Sequence, residues 1–151
     1  DKYALPPELL ELEITRDALE DDAAEAGIGR LVQLGVGLAL DDFAEAQSPV
    51  SELRRYPIGV VKLDRALMRD VPQDAQSAAA VETSIMTAHA LGKRVLAKGI
   101  ERIEQLDFLR EHRCDVVQGF YLARPLSSSA VMELLLARSG ANADDAVREA
   151  G

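Results

Sequence analysis

Glu13, the Asp41-Asp42 pair, Lys62 with Asp64, Lys98 with Glu101, and Gln118 share one property: each stands at the end, or just past the end, of a short apolar run. If those runs are parallel strands, their ends lie on one rim and the side chains converge, as at the catalytic face of a (β/α) barrel. Three or four carboxylates gathered in one mouth repel one another, and an oxygen-liganding divalent cation such as Mg²⁺ or Mn²⁺ relieves that repulsion. Such a site suits a phosphate ester. Two bridged metals activate water and neutralise phosphoryl oxygens, while a nearby lysine stabilises the charge that develops in an in-line displacement. The competing reading is structural: the same carboxylates cap the helices that follow each strand.

The elements that must position these residues are legible as alternating patterns. Leu9 to Ile14 follows a Pro-Pro breaker and meets a polar turn at Thr15 to Asp17, which predicts a strand. Ala24, Ile28, Leu31 and Val32 repeat at helical spacing up to a stop at Gly35. Val36 to Leu40 is a second strand that ends in Asp41-Asp42. A polar loop at Ser48-Pro49 leads to a short helix around Ser51 to Arg55, and Ile58 to Leu63 is a third strand. Ala78, Val81, Ile85 and Ala88 mark the inner stripe of a long helix closed by Gly92. Arg94 to Ala97 is a fourth strand, Ile103, Leu106 and Leu109 lie on a helix, and Asp115 to Gln118 is a fifth strand. Ser127 to Ser129 caps a last helix carrying Val131, Leu134 and Leu135, and from Ser139 the chain becomes a small, polar tail. Strand and helix in strict alternation indicate a parallel sheet with right-handed crossovers.

Composition narrows the function classes. A chain of 151 residues that is 48% hydrophobic suits one folded domain with a real core. Seventeen basic against 26 acidic side chains give a net charge of −9, which disfavours a nucleic acid polymer as partner. No apolar run approaches the ~20 residues of a membrane span. The single cysteine, Cys114, forms no internal disulfide and fits a reducing, cytoplasmic setting. There is no phosphate-binding loop, Gly-x-Gly-x-x-Gly fingerprint, His-Glu-x-x-His or Gly-x-Ser-x-Gly.

Five short motifs, in order between Leu5 and Pro125, resemble those of the EAL domains, bacterial cyclic di-GMP phosphodiesterases built on a modified TIM barrel. Glu11-Leu12-Glu13-Ile14-Thr15 resembles the family's Glu-(Leu/Ile)-Thr-Glu strand end, and Asp41-Asp42-Phe43 its Asp-Asp-Phe-Gly-Thr-Gly. Lys62-Leu63-Asp64 resembles Lys-Ile-Asp, and Ala97-Lys98-Gly99-Ile100-Glu101 resembles Ala-Glu-Gly-Val-Glu. Gln118-Gly119-Phe120 with Arg124-Pro125 resembles the terminal Gln-Gly-Tyr and Lys-Pro. The resemblance implies metal-ligand roles for Glu13, Asp41 and Asp64, with Mg²⁺ or Mn²⁺ as cofactor and Asp42 alongside. It places Lys62 beside the attacking water, Gln118 in the pocket, and Glu101 as a supporting carboxylate. The fold it implies is α/β, the C-terminal five strand-helix units of a TIM-like barrel, over residues 1–138, with 139–151 as tail.

The departures from the pattern are as specific as the matches. The family's name-giving Glu-Ala-Leu and an asparagine on a following strand belong upstream of Asp1. Arg16 stands where the family has the second glutamate of Glu-(Leu/Ile)-Thr-Glu, and Ala44 to Pro49 replaces the loop that carries two glycines. Lys98 stands where the family has a glutamate associated with catalysis. At ~4 Å from a divalent ion, with an effective dielectric near 20, one like-charge unit pair costs about 4 kcal/mol. The expectation is a degenerate domain that does not hydrolyse, with weak or no affinity for cyclic di-GMP, although Lys98 is also able to contact a phosphate directly. The alternative is the C-terminal half of an active phosphodiesterase. Expected partners are an upstream barrel half, an attached GGDEF or sensor domain, and a second copy of the chain, which five strands and an apolar inner face leave open.

Other candidates have ordinary readings. His89 belongs to a helix face, His112 and Cys114 form a lone His-x-Cys before a strand, Arg54-Arg55 lies on a solvated helix face, and Met68 and Met132 fill the core.

Overall fold

The computed structural model describes residues 5–20, 22–43 and 50–137. The two prolines fix a short 3-10 turn at Pro7–Leu9, so the first strand starts later than the apolar pattern indicates: β1 is Glu11–Ile14. The polar segment expected to turn at Thr15 to Asp17 instead enters a short helix, α1 (Arg16–Glu20), followed by α2 (Asp22–Gln33). Next come β2 (Gly37–Phe43), α3 (Val50–Arg55) and β3 (Val60–Leu63). A one-turn helix not anticipated from the sequence, α4 (Arg65–Met68), precedes the long α5 (Ala75–Ala90). Asp74 caps α5, its carboxylate accepting from the Ser77 N–H at 2.7 Å and the Ser77 hydroxyl at 2.8 Å. Gly92, at φ +68°, ends that helix in a conformation disfavoured for residues with a β-carbon. Then follow β4 (Arg94–Lys98), α6 (Ile103–Glu111), β5 (Val116–Gln118) and a helix over residues 128–137, whose Ala130 N–H donates to the Ser127 hydroxyl at 3.3 Å.

All four strand pairings are parallel and follow chain order, β1-β2-β3-β4-β5. Sequential parallel strands joined by helices form an arc of a (β/α) barrel, as the sequence pattern requires. The outer, helix-covered face carries Leu38, Leu40, Val61, Leu63, Val95 and Ala97, all buried, against Leu53, Met68, Val81, Ile85 and Leu109 from the helices. Met68 is completely buried, as expected; Met132, expected beside it, is 57% exposed because the helix over 128–137 does not reach that core.

The inner face departs from expectation. Strand alternation and register place Glu11, Glu13, Asp41, Lys62, Arg94, Lys98 and Gln118 on it, with only Ala39, Val60, Leu96 and Val116 between them. It is a charged concavity, not an apolar one. Exposed apolar side chains gather at its two ends, Leu5, Leu9, Leu10 and Leu12 at the β1 end and Phe120, Tyr121, Leu122 and Leu126 past the β5 end, while Val116 is exposed on the face itself.

Those two apolar clusters flank the open edges of β1 and β5, whose backbone groups have no strand partner on the outer side among the described residues. Unpaired edges beside apolar surface favour association. Light scattering over a dilution series of the 151-residue chain is expected to show an apparent mass that rises with concentration. A concentration-independent monomer with a sharp thermal transition would mean that the five strands are self-sufficient.

Candidate functional site

The acidic pair on β2 owes its position to a bulge. Leu40 pairs with Val61 and Phe43 with Leu63, so two residues of β2, Asp41 and Asp42, stand opposite the single Lys62 of β3. Without the extra residue, alternation would turn Asp42 into the helix-covered core and Phe43 out of it. With it, Phe43 is 1% exposed, and Asp42 takes φ +53°, a left-handed conformation that aspartate tolerates better than most residues. Both aspartates therefore lie within the strand, not after it as the sequence pattern indicates.

Lys98, the last residue of β4, reaches across β3 to this pair. Its Nζ donates to Asp41 Oδ1 at 2.5 Å and to Asp42 Oδ1 at 2.9 Å. Burial raises the Asp41 carboxyl, but the Lys98 hydrogen bond, the Asp42 N–H and the charges of Lys98 and Lys62 together hold it below its usual range. Burial works against the Lys98 ammonium too, and its hydrogen bonds to Asp41 and Asp42 outweigh it, raising the lysine above its usual value.

A second tie runs in parallel. Lys62, in the middle of the sheet, is only 5% exposed, and its Nζ donates to Glu13 Oε1 on β1. An ammonium buried that deeply needs a carboxylate, because an unpaired charge in that setting is very costly. Glu13 and Lys62 thus satisfy each other, and Lys62 holds β1 to β3 across β2 as Lys98 holds β2 to β4.

The remaining expected residues line a cleft of about 550 Å³ at the C-terminal ends of β3, β4 and β5: Asp64, Lys98, Glu101 and Gln118, together with Arg65, Phe120 and Arg124. Glu101 Oε1 accepts from Arg65 Nη2 at 2.5 Å, and the Arg124 guanidinium lies 5.4 Å from the centre of the Phe120 ring. Glu13, Asp41, Asp42 and Lys62 are not in the cleft lining; Lys98 alone belongs to both groups. The sequence reading missed Arg65, which directly follows the strand-end Asp64 and was visible there as a second rim charge.

The cleft walls are fixed by backbone. A β-carbon on Gly119 would sit 2.1 Å from Ile100 O, so only glycine lets the turn after β5 lie against the loop after β4, where Tyr121 N–H donates to Ile100 O at 3.0 Å. Gln105, 3% exposed, accepts the N–H groups of Glu101 and Arg102 and donates to Met68 O at 2.6 Å, tying that loop to α4. Arg102 adds bonds to Arg69 O at 3.1 Å and Val71 O at 2.7 Å.

The metal centre that the resemblance implies does not fit these residues. Among the described residues no three His, Cys, Asp or Glu side chains converge to hold an ion, and the Asp41-Asp42 position is taken by an ammonium. The loop Ala44 to Pro49 and the tail 139–151 lie outside the described residues.

The other candidates are structural. His89 Nε2 meets Asp115 Oδ2 at 2.8 Å, and the same oxygen accepts the Val95 N–H at 2.8 Å, joining α5, β4 and β5 away from the cleft. His112 stacks on Phe108 with ring centroids 4.1 Å apart. Burial pushes the Cys114 thiol up to about 11, so it is a poor nucleophile at neutral pH. Arg55 donates to Glu25 at 2.7 Å on the surface. No helix among the described residues is long and apolar enough to cross a membrane.

Comparison with known proteins adds the family. The chain is 40% identical over 130 residues to the cyclic di-GMP phosphodiesterase NbdA of Pseudomonas aeruginosa, a match that covers 85% of this chain but 17% of that protein. Its fold matches the solved cyclic di-GMP complex of the PaMucR phosphodiesterase with a TM-score of 0.79 and 32% identity, covering 86% of this chain and 53% of that one. It matches the manganese and cyclic di-GMP complex of Klebsiella pneumoniae BlrP1 with a TM-score of 0.72 and 28% identity, covering 80% and 31%. The chain thus spans only a fraction of the length of these relatives. The EAL domain family model matches residues 1–125, and with that match, the parallel five-strand arc and the ordered rim motifs, the chain belongs to the EAL domain family.

Proposed function

We propose that this chain is the C-terminal part of an EAL-type barrel that serves cyclic di-GMP signalling without hydrolysing the dinucleotide, as a weak ligand-binding or protein-interaction module. The observation that carries this reading is the Lys98 ammonium between Asp41 and Asp42, at the position where the family motif has a glutamate. A lysine hydrogen-bonded to two carboxylates is held in its charged form, which can neither ligate a metal nor accept a proton from water. Asp64, Glu101 and Gln118 keep the pocket polar, and Arg65 and Arg124 supply cations at its mouth, so a phosphate-bearing ligand retains points of attachment.

A second reading is that the chain is half of an active phosphodiesterase. The relative named above, itself called a phosphodiesterase, favours it, as does the retention of Glu13, Asp41, Lys62 and Asp64 in order along the rim.

Incubation of a barrel completed with an upstream Glu-Ala-Leu half, and unsubstituted at Lys98, with cyclic di-GMP and Mn²⁺ or Mg²⁺ separates the two. No conversion to linear pGpG is expected; metal-dependent turnover overturns the proposal. Titration calorimetry with cyclic di-GMP is expected to show no submicromolar binding by the monomer. In a barrel completed with an upstream Glu-Ala-Leu half, Lys98→Glu is expected to restore measurable metal-dependent hydrolysis over the unsubstituted barrel. No gain would move the defect to the 44–49 loop and the position of Arg16.

A further inference from the structure

We infer that Lys98 is the resident cation of this site: its ammonium takes the place of a divalent metal between Asp41 and Asp42, fastens β2 to β4, and excludes Mg²⁺ and Mn²⁺ from the rim. The inference rests on the functional reading above, and it concerns metal occupancy and architecture where that reading concerns turnover.

Three observations converge. The first is distance. Lys98 Nζ lies 2.5 Å from Asp41 Oδ1 and 2.9 Å from Asp42 Oδ1, so one cation already bridges the carboxylates that a bridging metal would use. A hexacoordinate ion at 2.0–2.1 Å from its oxygens needs several more donors in octahedral array, and the ammonium stands in that space.

The second is the neighbourhood. Lys62 presents another ammonium on the same sheet face and already holds Glu13, so two fixed positive charges stand among three carboxylates. A divalent ion entering there would have to expel Lys98 and leave its charge on a partly buried stem; the side chain is 23% exposed.

The third is architecture. The bulge that brings Asp41 and Asp42 side by side forces two like charges together and holds Asp42 at φ +53°. That arrangement needs a cation close by, and among the described residues Lys98 is the one bonded to both. A metal would otherwise stabilise the bulge; here the chain supplies the charge itself, so the strand geometry does not depend on an added ion.

The test is a thermal melt of the 151-residue chain in EDTA and in millimolar Mn²⁺, with Mn²⁺ electron paramagnetic resonance to count bound ion. For the unsubstituted chain the midpoint is expected to move by less than about 2 °C, because an ion no higher than its Kd contributes little, and no saturable loss of the free Mn²⁺ signal is expected. Lys98→Arg, which keeps the charge, should behave the same way. Lys98→Glu should melt lower in EDTA and gain on the order of 5 °C from Mn²⁺ well above its Kd, with ion bound near one equivalent or more. If Lys98→Glu does not fold, Lys98→Gln carries the same comparison, with a lower midpoint in EDTA and partial recovery in Mn²⁺. Saturable submillimolar Mn²⁺ binding by the unsubstituted chain overturns the inference, and so do Lys98→Glu and Lys98→Gln variants that remain indifferent to Mn²⁺. Mn²⁺ binding without hydrolysis defeats this inference alone, whereas hydrolysis by a chain that binds no Mn²⁺ defeats the functional reading alone.

Discussion

The constraint on which the site depends is charge balance on a sheet face that sets Glu13, Asp41 and Asp42 beside Lys62 and Lys98. The bulge in β2 makes the problem acute, because it sets Asp41 and Asp42 opposite one residue of β3 and turns both toward the rim. Lys98 and Lys62 resolve it from two sides, each crossing an intervening strand to reach its carboxylate. Neither pair is a surface ornament of the kind that contributes next to nothing. Lys62 is almost fully buried, and Glu13 gives its ammonium a carboxylate partner there. The two ties, β1 to β3 and β2 to β4, overlap, so side-chain bonds join four strands across the backbone pairings.

Beyond β4 the site depends on the backbone. Gly119 is pressed against Ile100, Gln105 collects two loop N–H groups, and Arg102 closes on the carbonyls of Arg69 and Val71. These contacts satisfy buried polar groups that an open loop would leave to water. They also shape the wall of the cleft lined by Arg65, Glu101 and Phe120, while the β4–β5 pairing sets Lys98 beside Gln118. Holding the wall with main-chain bonds separates shape from chemistry. A charge at position 98 changes what the cleft does while the loop that frames it stays where it is.

Much of this was legible in the sequence. The five strands follow their apolar runs, and the rim residues fall at strand ends because parallel strands all finish on the same side. What escaped does so for physical reasons. A bulge leaves no trace in composition: Val36 to Leu40 reads as a strand that stops, yet pairing continues to Phe43 because Leu63 offers it a buried neighbour. Polarity alone points to a turn after β1, but Arg16 to Glu20 suit a helix as well as a loop, and Leu19 is buried. The four residues of α4 are too few for helical periodicity to register. A closed barrel leads one to expect an apolar inner face, whereas alternation along these strands puts charges among its few apolar residues. Met132 has helical spacing with its neighbours but no described core to enter.

The relation between family and activity turns on the same point. Identity of 40% over 130 residues is an average over the matched length and singles out no one group of side chains. The fold agrees with a solved relative at a TM-score of 0.79 and 32% identity over 86% of this chain, so it survives change at most positions. A metal centre depends instead on the sign of a few charges within a hydrogen bond of one another, and an average over the chain has almost no weight there. Replacing one carboxylate by an ammonium changes the local charge by two units while leaving the strand, its pairing with β3 and β5, and the following glycine in place. The scaffold therefore tolerates the change, and the neighbouring aspartates gain a partner from it. Fold and chemistry therefore rest on different residues: the buried positions pack the helices onto the strands, while the charges of Asp41, Asp42 and Lys98 decide what the rim can bind.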